Sequence, residues 1–467
     1  MRLIFLILFF ISSLFIQAQV SFNIDSVAVW RDVYLEMNGY NNTYNEVWGF
    51  KVKGREYGVI GSRGGTYIVD ITVARKPFLI KYIPGKYNDA TNRDYHDYNG
   101  YLYMVCDQGP STLQIADLHY LPDSIHIIYD SDELFQNCHN IFIDSNTAHL
   151  YACRVTPSPL DSSKFVDHLR IYDLSDSPIP ELLLVYNGVD EFHDIWVKND
   201  TAIGNNMNSG LFFYDFTDMK NPVILNSIQN YEDKGLNHAG YCTTDGRYYY
   251  FSDETHGMDL KVVDLDNYVD PQVVALFNAG VNKSEIVAHN VLVRDSFLFI
   301  SYYHEGLQVY DIRKPAKPVK IGHYETYTKM VQPDPKKPPY KDYSGYKGAW
   351  GVYPFLPSGY ILVSDREKGL FILDMSDLDG SFHPDLLDQK RIYPNPAAGQ
   401  VDLVYPSNQV VKIQVIDLNG KVVEKSARFE NYKSFTRIYL SQSLQQGIYI
   451  LKVEGLSETF TEKLMKQ

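Results

Sequence analysis

One short pattern, an apolar strand-like run closed by Asp and one further apolar residue, occurs seven times along the chain. The copies read TYIVDI (66–71), LQIADL (113–118), LRIYDL (169–174), LFFYDF (211–216), LKVVDL (260–265), LQVYDI (307–312) and LFILDM (370–375). Their aspartates fall about 50 residues apart on average, a period that belongs to solenoids and propellers. Helical repeats do not fit. Each unit is rich in β-branched and aromatic residues, alternates with period two and is broken by turn residues.

Each unit holds four strand-like pieces, seen in the sixth as AHNVLVR (288–294), FLFISYY (297–303), GLQVYDI (306–312) and PVKIGHY (318–324). Four antiparallel strands make a propeller blade, so the chain is predicted to be all-β, with a seven-bladed β-propeller over residues 19–380. In five units a proline follows the repeated aspartate by seven residues: Pro77, Pro180, Pro222, Pro271 and Pro318. An Asp side chain caps the turn that follows it, and Pro then opens an outer edge strand, where its missing N–H costs little. The repeated Asp thus reads as a turn former and not as a catalytic acid. The seventh unit lacks a fourth strand, while FNIDSVAVW (22–30) precedes the first unit as an orphan. This N-terminal strand is expected to complete blade seven and close the ring, removing the open interface of a linear array.

Five of the thirteen histidines recur near the start of a unit's first strand: His96, His139, His193, His238 and His289, with Trp48 and Trp350 in the two remaining units. First strands line the channel of a propeller, so five imidazoles and two indoles are expected at one mouth. Beside them should lie the ends of the second strands, which supply Arg63, Asp107, Arg154, Asp253 and Asp365. Neutral imidazole donates a lone pair to zinc, copper or iron, and a neighbouring carboxylate orients its other N–H. An open coordination position would then bind a ligand or activate water. The five histidines are therefore candidate transition-metal ligands, and Trp48, Arg63, Asp107, Arg154, Asp253, Trp350 and Asp365 are candidate ligand contacts. A plainer account is that each His fills the same packing slot between blades.

The two ends of the chain address its destination. MRLIFLILFFISSLFIQAQ opens with one Arg, continues in an apolar run and ends in small residues near Ala18. The run of about 14 residues is too short to span a bilayer, so residues 1–18 read as a secretory signal peptide, and the mature chain has no transmembrane segment. From Arg391 onward, alternating strands broken by Asn419-Gly420 predict a small Ig-like β-sandwich over residues 391–467, joined by a linker at 381–390. This region resembles the type A C-terminal sorting domain of the type IX secretion system. The resemblance rests on Tyr393-Pro394-Asn395-Pro396, on Asp417-Leu418-Asn419-Gly420, on Gly447 and Tyr449 in GIYILKV, and on the basic tail with Lys463 and Lys466. It implies a bacterium of the Bacteroidota, a partnership with the type IX machinery, secretion to the cell surface and removal of the domain on arrival. The repeats resemble LVIVD-repeat propellers. The segment 44–140, above all YNEVWGFKVKGREYGVIGSRGGTYIVDIT (44–72), resembles the choice-of-anchor B family, which supplies no established activity.

Smaller signals fill in the picture. Cys138 and Cys153 flank the first hairpin of unit three and are candidates for a disulfide in an oxidising compartment, with Cys106–Cys153 as a competing pair. DMSDLDGSFHPD (374–385) is acidic and glycine-broken, a possible calcium segment, although Met375 stands where a spaced Asp is needed. VQPDPKKPPYKDYSGYKG (331–348) reads as a long loop on the functional face. HExxH, GxSxG and P-loop patterns are absent from the sequence, and a formal charge of −14 argues against nucleic acid as a partner. The 38 tyrosines suit a surface that meets a protein or a glycan. The sequence therefore supports an exported binding module, with a metal-dependent hydrolase or oxidase built on the histidines as the alternative.

Overall fold

The computed structural model describes residues 21–38, 42–161, 165–280, 286–327, 346–376, 391–393, 399–404, 410–431, 436–455 and 459–466. The expected signal peptide, the linker, Pro394-Asn395-Pro396, residues 331–345 of the Pro/Lys/Tyr-rich segment and residues 377–385 of the acidic segment lie outside this set.

Seven antiparallel sheets follow one another along the chain, six with four strands of their own repeat and the seventh with three and a borrowed one. Blade one comprises Tyr44–Val52, Arg55–Ser62, Gly65–Asp70 and Phe78–Pro84, paired in that order. The first strands of the others are Arg93–Tyr98, Asn137–Asp144, Asp194–Lys198, Asn237–Cys242, Val291–Arg294 and Ala349–Tyr353. Each first strand packs on the next, and the last packs on the first, so the seven enclose a channel. Blade seven has three strands of its own, and Asp25–Trp30 supplies the fourth by pairing with Gly369–Asp374. Ser21–Phe22 adds a short fifth strand to blade six. At Gly369, with φ +101°, a Cβ would stand 2.4 Å from the carbonyl oxygen of Trp30, so this seam admits only glycine.

The repeated aspartates do what the turn argument requires. In all seven units the carboxylate accepts the backbone N–H two residues on, from Thr72, His119, Ser175, Thr217, Asp266, Arg313 and Ser376. The alternating apolar residues of each blade form the core between blades, with one buried cluster at each of the seven junctions. The junction of blades seven and one, for example, joins Leu362, Leu370 and Ile372 to Val47, Ile60 and Val69. Polar bonds also cross junctions. Asp200 of blade four accepts hydrogen bonds from Thr147, His149 and Tyr151 of blade three at 3.0, 2.7 and 2.7 Å.

The C-terminal unit consists of two four-stranded sheets around one core that includes Val401, Leu403, Ile413, Val415, Ile438, Leu451 and Val453. Asp417 accepts the N–H groups of Asn419 and Lys421 and donates its own N–H to the Lys421 carbonyl, so the turn is a three-residue loop closed by Gly420 at left-handed φ +81°. Gly447 and Tyr449 lie in Gly447–Gly455, Lys463 and Lys466 in the final strand Thr459–Lys466, and Tyr393 ends Arg391–Tyr393.

The cysteine reading needs correction. All four cysteines are free and buried, and Cys138 sits opposite Val155 while Cys153 sits opposite Asn140. Cys106 is one residue out of phase with Cys153, because Val105 pairs with Asp94 as Cys153 pairs with Asn140. Burial pushes all four thiols up. The native protein should therefore leave all four unreactive toward a soluble disulfide reagent, and unfolding in denaturant without reductant should release four thiols.

A second expectation concerns Asp200. Burial alone would raise its carboxyl, but the bonds from His149 and Tyr151 outweigh it and hold it low, while His149 is raised by Asp200. Asp200→Asn should cost about 1–3 kcal/mol in denaturant unfolding. The lowered carboxyl contributes in full above the unfolded Asp value and loses its share as pH falls through the folded one. The raised imidazole contributes in full below its unfolded value and loses its share as pH rises through the folded one. The difference between wild type and variant should thus peak between about pH 4 and 6.5.

Candidate functional site

At the channel mouth the first strands depart from regular pairing. Register shifts fall between Tyr44 and Val47, between Asn237 and Ala239, and between Ala349 and Val352. A bulged residue is released from pairing and its side chain re-aimed. Blade three has no such shift: Cys138 and Asn140 pair with Val155 and Cys153 in one register, and His139 stands opposite Arg154, whose φ is left-handed at 51°. His193 and His289 stand just before their strands and donate their backbone N–H to Asn205 and Ser301.

These positions bring His139, His193, His238, His289 and Trp350 into one arc, with successive ring centroids 4.3, 4.1, 4.3 and 4.2 Å apart. His139 is oriented by Asp107 Oδ2, 2.9 Å from its Nδ1, and its Nε2 lies 3.0 Å from Nε2 of His193. Glu254, missed as a ligand from sequence, reaches His238 Nε2 at 3.8 Å and His289 Nε2 at 3.9 Å. It also accepts a hydrogen bond from the Tyr303 hydroxyl. Donor atoms of His193, His238 and Glu254 lie within 4.8 Å of one another. Nδ1 of His289 lies 2.7 Å from the carbonyl of Trp350 in the next blade, and backbone hydrogen bonds with His238 and His289 act in the same way on His193 and His238, while Nε1 of Trp350 is buried with no hydrogen-bond partner. Burial, with neighbouring imidazoles adding to it, drives His193 and His238 well below the usual histidine range, so both are neutral and hold a lone pair for a metal. Burial raises the Glu254 carboxyl, and the bond from Tyr303 opposes this.

Two of the seven aromatic candidates sit elsewhere. Trp48 and His96 lie deeper in the channel, their rings 4.5 Å apart, and His96 meets Phe142 at 5.6 Å. The residues of blades one and two that match the layer just inside the arc are Glu46 and Asp94, in phase with Asn140, Asp194 and Asn290. Hydrogen bonds steady this layer. Glu46 accepts from Asn290 Nδ2 at 2.9 Å and from its neighbour Val47 N–H at 3.0 Å, while Asp94 accepts the N–H of Ile141 at 2.7 Å. Burial first, and mutual repulsion second, push Glu46 to about 8, and burial pushes Asp94 to about 7 and Asp194 to about 8. Sequence inspection missed this layer because its acids carry no shared motif.

The remaining candidate contacts are engaged by other partners. Arg63 bonds Asp89 at 2.8 Å and the carbonyl of Met37. Arg154, with left-handed φ 51°, pairs with Glu191 at 3.0 Å. Asp253 is buried inside blade five against Lys261 at 2.6 Å, with Tyr231 and the N–H of Gly235 as further donors. Asp365 caps the turn at Glu367 and Lys368. Asp107 acts through His139, and Trp350 alone of the original ligand-contact set stands in the arc itself.

A cavity of about 60 Å³ under the arc shares Glu46, Asp94, Asn140, Asp194 and Asn290 with a larger chamber of about 550 Å³ below.

Comparison with known proteins bears on both parts of the chain. Residues 391–467 match the family described as a secretion system C-terminal sorting domain, and residues 287–326 and 357–379 match the LVIVD repeat. No curated protein matches the chain. Among solved structures, the RRP9 WD40 repeats superpose with a TM-score of 0.51 at 8% identity, covering 76% of this chain and 99% of that one. A Pseudomonas aeruginosa periplasmic gluconolactonase gives 0.48 at 10% identity, over 85% and 99% of the two chains. A Lactobacillus plantarum protein gives 0.46 at 11%, over 85% and 100%. These likenesses concern the fold. The protein is a secreted or cell-surface β-propeller with LVIVD repeats, exported through its type IX sorting domain. Among the described residues, no helix is long and apolar enough to cross a membrane.

His96 offers a direct check on the channel's polarity. Burial lowers it to about 4, against a bond from its Nδ1 to the carbonyl of Asp97. Its imidazole nitrogen shifts should stay those of the neutral ring at pH 6 and change only near pH 4. Because the unfolded ring takes its proton first, this site should make the fold lose stability as pH falls from about 6.5 towards 4.

Proposed function

We propose that the exported propeller is a binding module whose channel mouth holds a divalent transition metal on His139, His193, His238 and Glu254. A coordinating group of a surface protein or glycan then completes the shell. The observation that carries this reading is the convergence of neutral, buried imidazole donors on a carboxylate, with donor atoms of His193, His238 and Glu254 inside 4.8 Å. The grouped donors are two nitrogens and one oxygen, with His139 Nε2 3.0 Å from His193 Nε2 as the further nitrogen; such a set suits zinc, copper or iron, and the Asp107 carboxylate bonded to His139 is the outer partner that such ligands commonly have. The alternative, a metal-dependent hydrolase or oxidase, is supported by the space under the arc, in which a metal-bound water would face the raised carboxyls of the inner layer.

The reading extends to the ends of the chain. Residues 1–18 are taken as a signal peptide, 381–390 as a linker and the sorting domain as removed on arrival. The likeness of segment 44–140 to choice-of-anchor B proteins accords with a delivered, variably anchored module.

Metal analysis by mass spectrometry of protein purified without chelator or affinity tag should find close to one equivalent. A His139→Ala/His193→Ala/His238→Ala variant with an unchanged circular dichroism spectrum should lose it. Wild-type protein that is metal-free and refuses added Zn²⁺ or Co²⁺ would remove this reading and leave the arc as packing. Intact mass of the secreted product should correspond to a chain that starts at Gln19 and lacks residues 391–467.

A further inference from the structure

Below the histidine arc, the 550 Å³ chamber has a wall of two zones. The upper zone carries the carboxyls of Glu46, Asp94 and Asp194 beside the amides of Asn140 and Asn290. Each carboxyl commits oxygen to a backbone N–H, of Val47, Ile141 and Ile195 respectively, and the side-chain N–H of Asn290 is turned to Glu46. Among the described residues no lysine or arginine pairs with these three carboxyls. The basic side chains in the wall, Lys198 and Arg294, reach the carbonyls of Thr244 and Pro354.

The lower zone is a belt of aromatic rings. In the wall Trp196 meets Tyr241 (6.2 Å) and Tyr241 meets Phe355 (5.8 Å), while Trp48 meets His96 and His96 meets Phe142; Tyr353, in the core behind the wall, joins Phe355 (5.4 Å) to Trp48 (4.8 Å). Phe142 and Trp196 pack in the same cluster, which closes the belt. The indole N–H of Trp48 is spent on Asp97 at 2.8 Å and Nδ1 of His96 on the Asp97 carbonyl, so these two residues offer the chamber mainly ring surface.

We propose that this chamber is a second site, independent of the metal, for a small organic cation: an ammonium-bearing molecule whose nitrogen faces the carboxyls and whose apolar part lies in the belt. Aromatic faces attract cations, and an ammonium group donates its N–H groups to carboxyl oxygens. Burial disfavours the ionised form of such carboxyls, and a bound cation supplies the counter-charge that lets them ionise.

Isothermal titration calorimetry of the purified protein with benzylamine, benzyltrimethylammonium, benzyl alcohol and cellobiose tests the assignment. Both cations should bind saturably, and the uncharged alcohol at least about tenfold more weakly. Asp94→Asn/Glu46→Gln and, separately, Trp48→Leu should each weaken cation binding about tenfold with the fold intact by circular dichroism. No saturable heat from either cation, equal affinity for benzyl alcohol, or saturation by cellobiose in place of the cations would overturn it. The comparison of charged with uncharged probes needs no variant. Repeating it with and without Zn²⁺ keeps failure here distinct from failure of the metal reading.

Discussion

Every blade of this propeller is apolar on the faces it turns to its neighbours, so no blade can bury its side chains alone. The chain meets that constraint by closing a ring in which each junction has its own buried cluster. Closure cannot be completed by the last repeat, which has three strands. It falls to Asp25–Trp30, whose pairing with Gly369–Asp374 joins the two ends of the propeller. Whatever the channel does depends on this seal, because the channel exists only while all seven first strands face inward.

The ring also explains why one mouth can carry chemistry. Repetition delivers a strand start at the same height in successive blades, and the sequence decides what stands there. Four consecutive blades place histidine at that height, and one places tryptophan. The layer beneath is filled by acids and amides, and the one beneath that by aromatic rings. Polarity thus changes from imidazole to carboxyl to hydrocarbon over a few residues of each strand, and the backbone contributes little beyond height.

Much of this was readable from the sequence, for reasons that can be located. The blades were legible because turn chemistry repeats: a single Asp, bonded to the N–H two residues on, marks each one. The seal was legible as an orphan strand facing an incomplete unit. The height of individual residues was not. Trp48 stands 22 residues before Asp70, just as His193 stands 22 before Asp215, yet Trp48 lies two positions further along its strand than the residue in phase with Asp194. Turns of unequal length and bulges absorb the difference, and only the hairpin register resolves it. For the same reason Asp253 and Asp365 were drawn to the channel by their proximity to a strand end, when a buried lysine and a tight turn account for them.

The seal has a mechanical side. The segment that leads toward the sorting domain leaves the propeller from Gly369–Asp374, which lies between Asp25–Trp30 on one side and Ile361–Asp365 on the other. Tension on the C-terminal end therefore loads two antiparallel ladders together, along the strand direction, so that several hydrogen bonds resist at once. Were the N-terminal strand missing, the same pull would act on an edge with one ladder to hold it. The borrowed strand thus doubles as an anchor plate at the point where a molecule drawn outward by its tail would first begin to unravel.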